Sequence, residues 1–284
     1  MIIKPVAFDS LGTRGMATYV ETKDVKLFID PGVALAPWRN GYPPHPIELE
    51  RQEKQWQEIT KLSKGCEVLI ITHYHYDHHN PNHPELYDGK VALVKHPEKN
   101  INKSGFSRAK FFLPKLRPKR LEYCDGNTYK FGSTRLVFSK AVFHGTNSKL
   151  GYVVEVLVDD GETRFVHTSD VEGPAIDEQI GFVLKSKPNI VFVDGPMTYM
   201  LGYRYSHEHF EQAKANLMRI LKECPIERLV LEHHLLRDIK WREKMAEVLA
   251  FGGNKVCCAA EFIGKVEDVL ENKRKQLYQQ HPVR

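Results

Sequence analysis

The segment VLIITHYHYDHHNP, residues 68–81, constrains this chain more than any other part of its sequence. Four histidines and one aspartate fall within seven positions, directly after a run of aliphatic residues. Without partners these side chains would be costly to bury, and protonated imidazoles would repel one another. The fold must therefore give the cluster a partner, and a metal ion is one that imidazole and carboxylate groups share.

The spacing within the cluster favours metal ligation. His73 and His75 can converge on one ion if they lie on an extended turn, and Asp77 and His78 can then reach a neighbouring ion. The preceding run, residues 66–72, is predicted as a buried strand, and sites in layered α/β folds lie at the carboxyl ends of such strands. A solvated, histidine-rich turn is the alternative, and the density of ligand-type residues argues against it. These ligands suit Zn²⁺, with Fe or Mn as alternatives.

Short apolar runs alternate with longer helix-like stretches along the chain, which predicts a mixed α/β fold. We expect strands at 2–8, 17–21, 25–30, 66–72, 163–170 and 226–234, an antiparallel meander between 128 and 160, and helices at 47–64, 207–223 and 259–283. No linker, low-complexity tract or repeat interrupts this pattern. A single domain over residues 1–284, with two sheets and outer helices, is the economical architecture.

The composition is that of an ordinary globular protein. Its 284 residues are 42% hydrophobic and 27% charged, with a formal net charge of +5. The N-terminus lacks the basic start and apolar core of a signal peptide, and no window approaches the ~18 apolar residues that span a bilayer. We therefore expect a cytoplasmic protein without membrane partners, and a homo-oligomer is compatible with these features.

The five cysteines indicate reduced, mostly buried thiols. Their number is odd and they lack CxxC spacing, which argues against a disulfide framework or a cysteine zinc site. They are Cys66, Cys124, Cys224, Cys257 and Cys258.

Further candidate ligands occur where predicted strands end. His144 follows LVFSKAVF, Asp170 follows RFVHTS, and His233 follows IERLVLE. Strand ends of layered folds can meet at one edge of the sheets, so these side chains are candidates to join the histidine cluster.

The ordered series HxHxDH, His, Asp and His resembles the metallo-β-lactamase superfamily of binuclear metallohydrolases. The likeness runs from LFIDPG to LVLEHH and implies an αββα sandwich of two mixed β-sheets flanked by helices. The segment LGTRGMATYVETKDVKLFIDPGVAL further resembles an uncharacterised archaeal branch of that superfamily.

The resemblance implies two divalent metal ions, with Zn²⁺ expected, and a hydroxide bridging them as the nucleophile of a hydrolase. Asp77 would also orient that hydroxide or shuttle its proton. The ligands implied are His73, His75 and His144 for the first ion, Asp77, His78 and His233 for the second, and Asp170 between the two.

The sequence departs from the superfamily pattern at two places. His79 is an additional histidine, expected to be exposed or to contact a ligand. His233 and His234 compete for one position, and we favour His233 because LVLEHHLLR then matches the superfamily ending LVLTHFSxR. Neighbouring residues on a strand also point opposite ways, so only one of the pair is expected to ligate. Asp30 is expected to orient a ligating histidine, and His167 to be a core residue.

A second candidate catalytic residue lies in HEHFEQA, residues 207–213. This helix start resembles the HSTAxEA segment of the superfamily's tRNA-processing nucleases, which implies that His207 is a general acid. The alternative is a polar helix N-terminus that Ser206 caps.

A basic helical insertion is predicted around residues 95–120. From Lys90 to Arg120 the chain carries ten lysines and arginines, one glutamate, and three interleaved phenylalanines. Basic and aromatic side chains together suit a nucleic acid, and an ordinary solvated face is the competing interpretation.

Three functions follow from these features. The leading one is hydrolysis of a phosphodiester in a nucleic acid or a nucleotide-like molecule. The same metal site would also serve a carboxylic ester, lactone or thioester. A diiron oxidoreductase is the third, but such superfamily members carry Glu in place of His75 and append a flavin domain. A binding protein without turnover fits least, because no implied ligand is missing.

Overall fold

The computed structural model describes residues 1–283, which form two large β-sheets with helices against them. The first sheet has the order β1 to β6. Its first three strands are antiparallel neighbours, and β3 to β6 run parallel. The strands are β1 (Ile2–Phe8), β2 (Met16–Glu21), β3 (Lys26–Ile29), β4 (Val68–Ile71), β5 (Val91–Val94) and β6 (Arg120–Tyr123).

The second sheet has the same division into an antiparallel and a parallel half. The strands β7 (Thr128–Phe131), β8 (Thr134–Phe138), β9 (Val142–Phe143), β10 (Tyr152–Val153), β11 (Val156–Asp159), β12 (Arg164–His167), β13 (Ile190–Asp194), β14 (Arg228–Glu232) and β15 (Val256–Cys257) follow along the chain. Seven of them form the sheet in the order β15-β14-β13-β12-β11-β8-β7, while β9 and β10 pair separately. Strands β12 to β15 are parallel, so their carboxyl ends share one edge.

The helices are α1 (Pro46–Lys64), α2 (Lys103–Phe112), α3 (Asp177–Ser186), α4 (His207–Glu223), α5 (Trp241–Lys244), α6 (Ala246–Gly252), α7 (Ala259–Phe262) and α8 (Leu270–Gln280). No helix within residues 1–283 is long and apolar enough to cross a membrane. All five cysteines are free thiols and four are buried, as the sequence predicts.

Strand β4 shows how the layers arise. Val68 and Ile70 belong to the apolar core that the two sheets share, whereas Leu69 and Ile71 pack in a second core with residues of α1 and α2. Successive side chains of a strand point to opposite faces, so an unbroken apolar run is buried on both. The first sheet therefore lies between a helical layer and the second sheet, as predicted for an αββα sandwich.

The sequence predictions for the elements were largely confirmed. Strand 2–8 and helix 207–223 have the predicted bounds, and helix 47–64 begins one residue earlier. The continuous helix predicted for 259–283 was wrong. Helix α7 ends at Phe262, and Gly264 adopts a left-handed φ of 69°, so the chain leaves the helix there before α8 begins. The charged pattern of the segment did not reveal this break.

Candidate metal centre

The histidine cluster lies in a tight turn that follows β4. The amides of His78 and His79 both donate to the carbonyl of His75, at 3.0 and 3.3 Å. Gly32 lets this turn approach the end of β3, because a Cβ there would collide with the backbone of His78 and His79. The turn thus depends on a glycine that lies more than forty positions earlier in the chain.

Asp30 joins the two strand ends to the cluster. Its fully buried carboxylate accepts hydrogen bonds from the Thr72 amide at 2.8 Å and the Thr72 hydroxyl at 2.6 Å. The same carboxylate lies 2.8 Å from His78 Nδ1. That contact fixes the His78 ring with Nε2 directed away from Asp30, as the sequence led us to expect.

Asp170 is the centre of the cluster. Its Oδ2 atom lies 3.5 Å from His73 Nε2, 3.4 Å from His144 Nε2 and 3.3 Å from His233 Nε2. Its Oδ1 atom lies 2.9 Å from His78 Nε2. One buried carboxylate therefore faces four imidazoles that come from three different parts of the chain.

The described residues contain four groups of ligand-type atoms that lie within 4.8 Å of one another. One group is Asp30, His73 and His78, and another is Asp170, His233 and His234. The other two groups are His73, His75, His144 and Asp170, and Asp77, His78 and His233. These are the two sets that the superfamily resemblance implies, with Asp170 adjoining both through its contacts to His78 and His233.

The hydrogen bonding of the cluster fits a cation. Buried polar groups normally have partners. Among the described residues, Nε2 of His73 and Nε2 of His144 are buried without any hydrogen-bond partner. Nε2 of His78 and Oδ1 of Asp170 contact each other at 2.9 Å. A buried polar atom that is left unsatisfied costs roughly 1–3 kcal/mol. Imidazole nitrogen and carboxylate oxygen are the donors that Zn²⁺, Fe and Mn accept, so the residues present suit a divalent metal.

The outward-facing nitrogens of two of these histidines have partners of their own. His73 Nδ1 lies 3.2 Å from Ser169 Oγ, and His233 Nδ1 lies 2.7 Å from Asp9 Oδ2. His144 Nδ1 has no hydrogen-bond partner within residues 1–283, and a Glu172 carboxylate oxygen lies 3.5 Å away from it. Such contacts fix the ring orientation and the tautomer of metal-ligating histidines.

Backbone strain is concentrated around the cluster. Four non-glycine residues here have left-handed φ values, namely Asp30 at 51°, Ser169 at 58°, Glu172 at 52° and His233 at 58°. This conformation is unfavourable for residues with a Cβ. It aims their side chains at the cluster from strand ends that would otherwise direct them elsewhere.

The charges of the cluster divide its histidines into two kinds. Burial, with His144 nearby, lowers the pKa of His75 to about 3, and burial beside His78 holds the pKa of His73 well below its usual value. Burial alone would lower the pKa of His233, but the carboxylates of Asp170 and Asp9 raise it to about 10. The carboxylates and protonated imidazoles compensate one another, and a cation would replace those protons.

His233 and His234 do not lie on an extended strand, so the alternation argument was wrong for them. Both belong to a 3-10 helix, His233–Arg237, that begins where β14 ends. His233 joins Asp77 and His78, whereas His234 Nδ1 lies 2.9 Å from the buried carboxylate of Asp194. His233 and His234 also share one group of ligand-type atoms with Asp170, so the helix turn gives them different carboxylate partners at Nδ1 without separating them fully.

His79 and His167 have structural roles. His79 was expected to be exposed or to contact a ligand, and it is fully buried, with its ring 4.7 Å from that of Phe112. Its Nδ1 atom lies 3.0 Å from the His75 carbonyl, so it does close the ligand-bearing turn. His167 is a core residue, as predicted, and its Nε2 atom lies 2.9 Å from the Met16 carbonyl.

His207 is not part of the cluster. It is the exposed first residue of α4, and it does not line the cavity above the cluster. Ser206 caps this helix by accepting a hydrogen bond from the His209 amide at 3.0 Å. The structure therefore matches the capping alternative, and the general-acid role of His207 stays a sequence-based prediction.

A cavity of about 740 Å³ opens above the cluster. Its volume is typical of small-molecule sites. His75, Asp77, His144 and Asp170 line it from the cluster side. The remaining lining residues include Arg14, Ala34, Leu35, Tyr76, Arg108, Lys149, Leu150, Glu172, Met197, Tyr199, Met200, Arg204, His234 and Arg237.

Comparison with known proteins places this geometry in a family. No family model matches the sequence. A UPF0282 protein of Korarchaeum cryptofilum is 51% identical over 288 residues, which cover 100% of this chain and 96% of the relative. A UPF0282 protein of Methanocaldococcus jannaschii is 41% identical, and the match covers 98% of this chain and 97% of the relative. The chain belongs to the UPF0282 family. Its relatives are archaeal proteins, in agreement with the archaeal branch that the sequence resembles.

Solved structures show the fold of this UPF0282 protein. A metallo-β-lactamase fold protein of Bacillus subtilis matches with a TM-score of 0.54 and 14% identity, over 90% of this chain and 93% of that one. A possible metal-dependent hydrolase of Veillonella parvula matches with a TM-score of 0.56 and 13% identity, over 87% and 94%. An isothiocyanate hydrolase from Delia radicum gut bacteria matches with a TM-score of 0.56 and 15% identity, over 91% of this chain and 96% of that one. The UPF0282 chain therefore has the metallo-β-lactamase fold.

Sequence reasoning missed three residues that contact the cluster of this UPF0282 protein. They are Asp9, Glu172 and Arg237. Asp9 directly follows β1, as His233 directly follows β14, so the strand-end rule would have found it. Glu172 and Arg237 lie in irregular segments after the strand ends and carry no comparable signal.

Proposed function

We propose that this UPF0282 protein is a hydrolase of phosphodiesters that uses two divalent cations, Zn²⁺ with Fe or Mn as alternatives. The observation that carries the proposal is the set of buried imidazole nitrogens around the Asp170 carboxylate beneath a cavity, of which Nε2 of His73 and Nε2 of His144 have no hydrogen-bond partner in the described part of the chain. Buried polar atoms without partners in a cleft are the expected sign of a ligand site.

The contacts support one distribution of the two cations. His73, His75 and His144 would hold the first, and Asp77, His78 and His233 the second, with Asp170 shared between them. When bound, the two cations would lower the pKa of a water molecule to near neutrality and polarise an oxygen of the substrate. The protein supplies the remaining chemistry.

Asp77 is the carboxylate best placed to handle the proton of the attacking water. It is half-buried, lines the cavity, and has Oδ2 at 3.6 Å from His233 Nε2. A carboxylate at this position can orient a water molecule by accepting its hydrogen bond and can hold its proton at Oδ2.

Arg237 supports a phosphodiester over a neutral ester. Its Nε donates to Asp9 Oδ1 at 3.1 Å, and its Nη2 lies 3.9 Å from Asp77 Oδ2 at the cavity wall. Its Nη2 also lies 3.1 Å from Nε2 and 3.4 Å from Nδ1 of His233. A guanidinium at this place matches the charge and shape of a phosphoryl group.

His234 offers a further contact to the substrate. Its Nδ1 is held by Asp194, and it lines the cavity beside Glu172, with Nε2 at 3.8 Å from the carboxylate. With Nδ1–H donated to Asp194, the Nε2 lone pair can accept a hydrogen bond from water or from a hydroxyl of the substrate.

The choice between phosphodiester and carboxylic ester has a direct test. We expect metal-loaded protein to hydrolyse bis(p-nitrophenyl) phosphate, with p-nitrophenyl acetate and lactones near the background rate. Release of p-nitrophenolate is followed by absorbance at equal metal loading. The reverse preference would replace the phosphodiester assignment by the ester, lactone or thioester alternative, and no turnover of either class would overturn the hydrolase proposal.

The two adjacent histidines give a matched test of the ligand assignment. We expect His233→Ala to lower the metal content from about two ions per chain to about one, because it removes a nitrogen from the group with Asp77 and His78. His234→Ala is expected to retain both ions. Elemental analysis of the purified variants measures the difference, and equal losses in the two would contradict the assignment.

A further inference from the structure

Three cationic side chains line the cavity without a carboxylate partner among the described residues. They are Arg108, Lys149 and Arg204. The two other cationic residues of the lining have carboxylate partners. Arg14 Nε lies 2.6 Å from the Glu271 carboxylate, and Arg237 Nε lies 3.1 Å from the Asp9 carboxylate. The cavity wall therefore carries three cationic side chains that no carboxylate of the described residues pairs with.

The carboxylates of the cavity do not pair with these three side chains. Asp77, Asp170 and Glu172 are the acidic residues that line it, and each lies within 4 Å of a histidine of the cluster or of its neighbour His234. The acidic groups thus contact histidines of the cluster or His234, whereas the three unpaired cations have no carboxylate partner among the described residues. Such a division suits a ligand with an anionic group remote from the bond that is cleaved.

Arg108 is held beside the cluster by two contacts. Its guanidinium carbon lies 4.8 Å from the ring centroid of Tyr76, and its Nη1 lies 3.5 Å from the Tyr74 carbonyl. Tyr76 stands between His75 and Asp77 in the ligand-bearing turn and also lines the cavity. A guanidinium that rests on an aromatic face keeps its N–H groups free at the edges for an anion.

Asn102 places Lys149 on the same side as Arg108. Its Oδ1 accepts a hydrogen bond from the Gly105 amide at 2.8 Å and so caps the N-terminus of α2, the helix that carries Arg108. Its Nδ2 donates to the Lys149 carbonyl at 3.1 Å. One side chain therefore fixes both the helix and the loop that supply these two cations.

Arg204 comes from a different segment. Its amide donates to the Met200 carbonyl at 3.0 Å in a loop that folds back after the 3-10 helix Thr198–Met200. Tyr199 and Met200 of this segment line the cavity too. The unmatched cations thus reach the cavity from at least two walls.

We propose that Arg108, Lys149 and Arg204 form a second anion subsite, which binds a phosphate group that is not cleaved. The inference rests on the proposed function and narrows its substrate to a small phosphodiester with an additional phosphate, of about nucleotide size. The cavity volume of about 740 Å³ lies in the range of small-molecule sites.

The placement of the other basic residues argues against a long nucleic-acid strand. Of the ten lysines and arginines between Lys90 and Arg120, Arg108 alone lines this cavity. Lys95 is fully buried with its Nζ at 2.6 Å from Asp125, and Lys90 donates to the Cys66 carbonyl at 2.8 Å. A strand-binding protein instead needs a continuous cationic track along its groove.

Equilibrium binding tests the subsite independently of turnover. The probes are thymidine 5′-monophosphate and thymidine 3′,5′-bisphosphate, titrated calorimetrically into the metal-loaded protein. The two probes differ only in the 3′-phosphate, so the ratio of their dissociation constants measures the contribution of the second phosphate. We expect the bisphosphate to bind at least about tenfold more tightly, the usual scale of a charge-assisted contact.

Matched variants identify the residues responsible. Arg108→Gln is expected to remove most of that tenfold preference, whereas Lys110→Gln, on an exposed position of the same helix that does not line the cavity, is expected to retain it. Equal affinity for the two probes, or an equal loss in both variants, would overturn the subsite. A single-stranded 12-mer that binds far more tightly than the bisphosphate would replace it by strand binding.

Kinetic measurements test the second anion subsite separately from the proposed hydrolase activity. We expect kcat/KM for thymidine 3′-phosphate 5′-(p-nitrophenyl phosphate) to be about tenfold higher than kcat/KM for the analogue without the 3′-phosphate. Turnover of both at equal rates would leave the hydrolase standing and overturn the subsite. Preferential binding of the bisphosphate without turnover of either ester would overturn the hydrolase and leave the subsite standing.

Discussion

Replacing Asp170 by asparagine is expected to lower kcat/KM for a phosphodiester by about 10³-fold or more, or about 4 kcal/mol of transition-state stabilisation. The Asp170 carboxylate lies between 2.9 and 3.5 Å from nitrogens of four histidines. Asparagine has the same shape, but it removes the negative charge and places an N–H donor against imidazole nitrogens that need an acceptor or a cation. Both cation groups would lose a shared ligand.

The measurement combines kinetics with metal analysis on the same preparation. Asp88→Asn, an exposed position outside this cavity, is the matched control and should retain full activity and metal content. Circular dichroism establishes that both variants are folded. A fully active Asp170→Asn protein would show that the reaction does not take place at this cluster.

Replacing Arg274 by methionine is expected to lower the free energy of unfolding by about 3–5 kcal/mol. Arg274 and Glu48 are both fully buried, and Nε and Nη2 of the guanidinium donate to the two carboxylate oxygens at 2.8 and 2.9 Å. Methionine fills a similar volume but leaves the Glu48 carboxylate buried without its countercharge. Removing one partner of a buried pair is far more costly than the net contribution of the pair.

Helix α1 offers an internal control for this effect. Lys54 and Glu50 form an ion pair on the same helix, with side chains that are 68% and 64% exposed. Lys54→Met is expected to change the free energy of unfolding by less than about 1 kcal/mol, because solvent screens the pair. Denaturant titration of both variants gives the comparison, and similar small losses would show that the buried pair is not a stabilising contact.

The Arg274 pair also supports the wall of the cavity. The Nη1 atom of Arg274 donates to the carbonyls of Ala36 and Tyr42, at 2.9 and 3.2 Å. These residues belong to the irregular segment 30–45, of which Ala34 and Leu35 line the cavity. Helix α8, near the end of the chain, therefore orders a loop that faces the substrate.

Local patterns predicted most of the fold. Apolar runs predicted strands β1 and β4, and helical apolar periodicity predicted α4, because the buried side chains of each segment recur at the period of a strand or a helix. The candidate ligands Asp170 and His233 were also predictable, since they follow β12 and β14, whose carboxyl ends share a sheet edge. His144 was a candidate by the same rule, but it follows β9, which pairs with β10 outside the seven-stranded sheet. The structure does bring all three beside the HxHxDH turn.

Long-range partners were not predictable from local patterns. Asp9 and His233 are 224 positions apart, and only the pairing of whole sheets brings them within 2.7 Å. The burial of His79 depends on α2, whose Phe112 packs against it. The departure of His233 from extended geometry depends on a 3-10 helix that directly continues β14. None of these contacts leaves a periodic signal in its own segment.

Under the proposed function, the left-handed residues around the cluster would link the abundance of this protein to the supply of metal in the cell. Asp30, Ser169, Glu172 and His233 each hold an unfavourable backbone, at a combined cost of roughly 4 kcal/mol or more. That is a large share of the marginal stability of a typical domain. Under the proposed function, bound cations would offset the cost, and a chain that misses its ions during synthesis would unfold more often and be degraded sooner. Metal starvation should then shorten the half-life of the chain in pulse-chase labelling, so that scarcity limits abundance as well as activity.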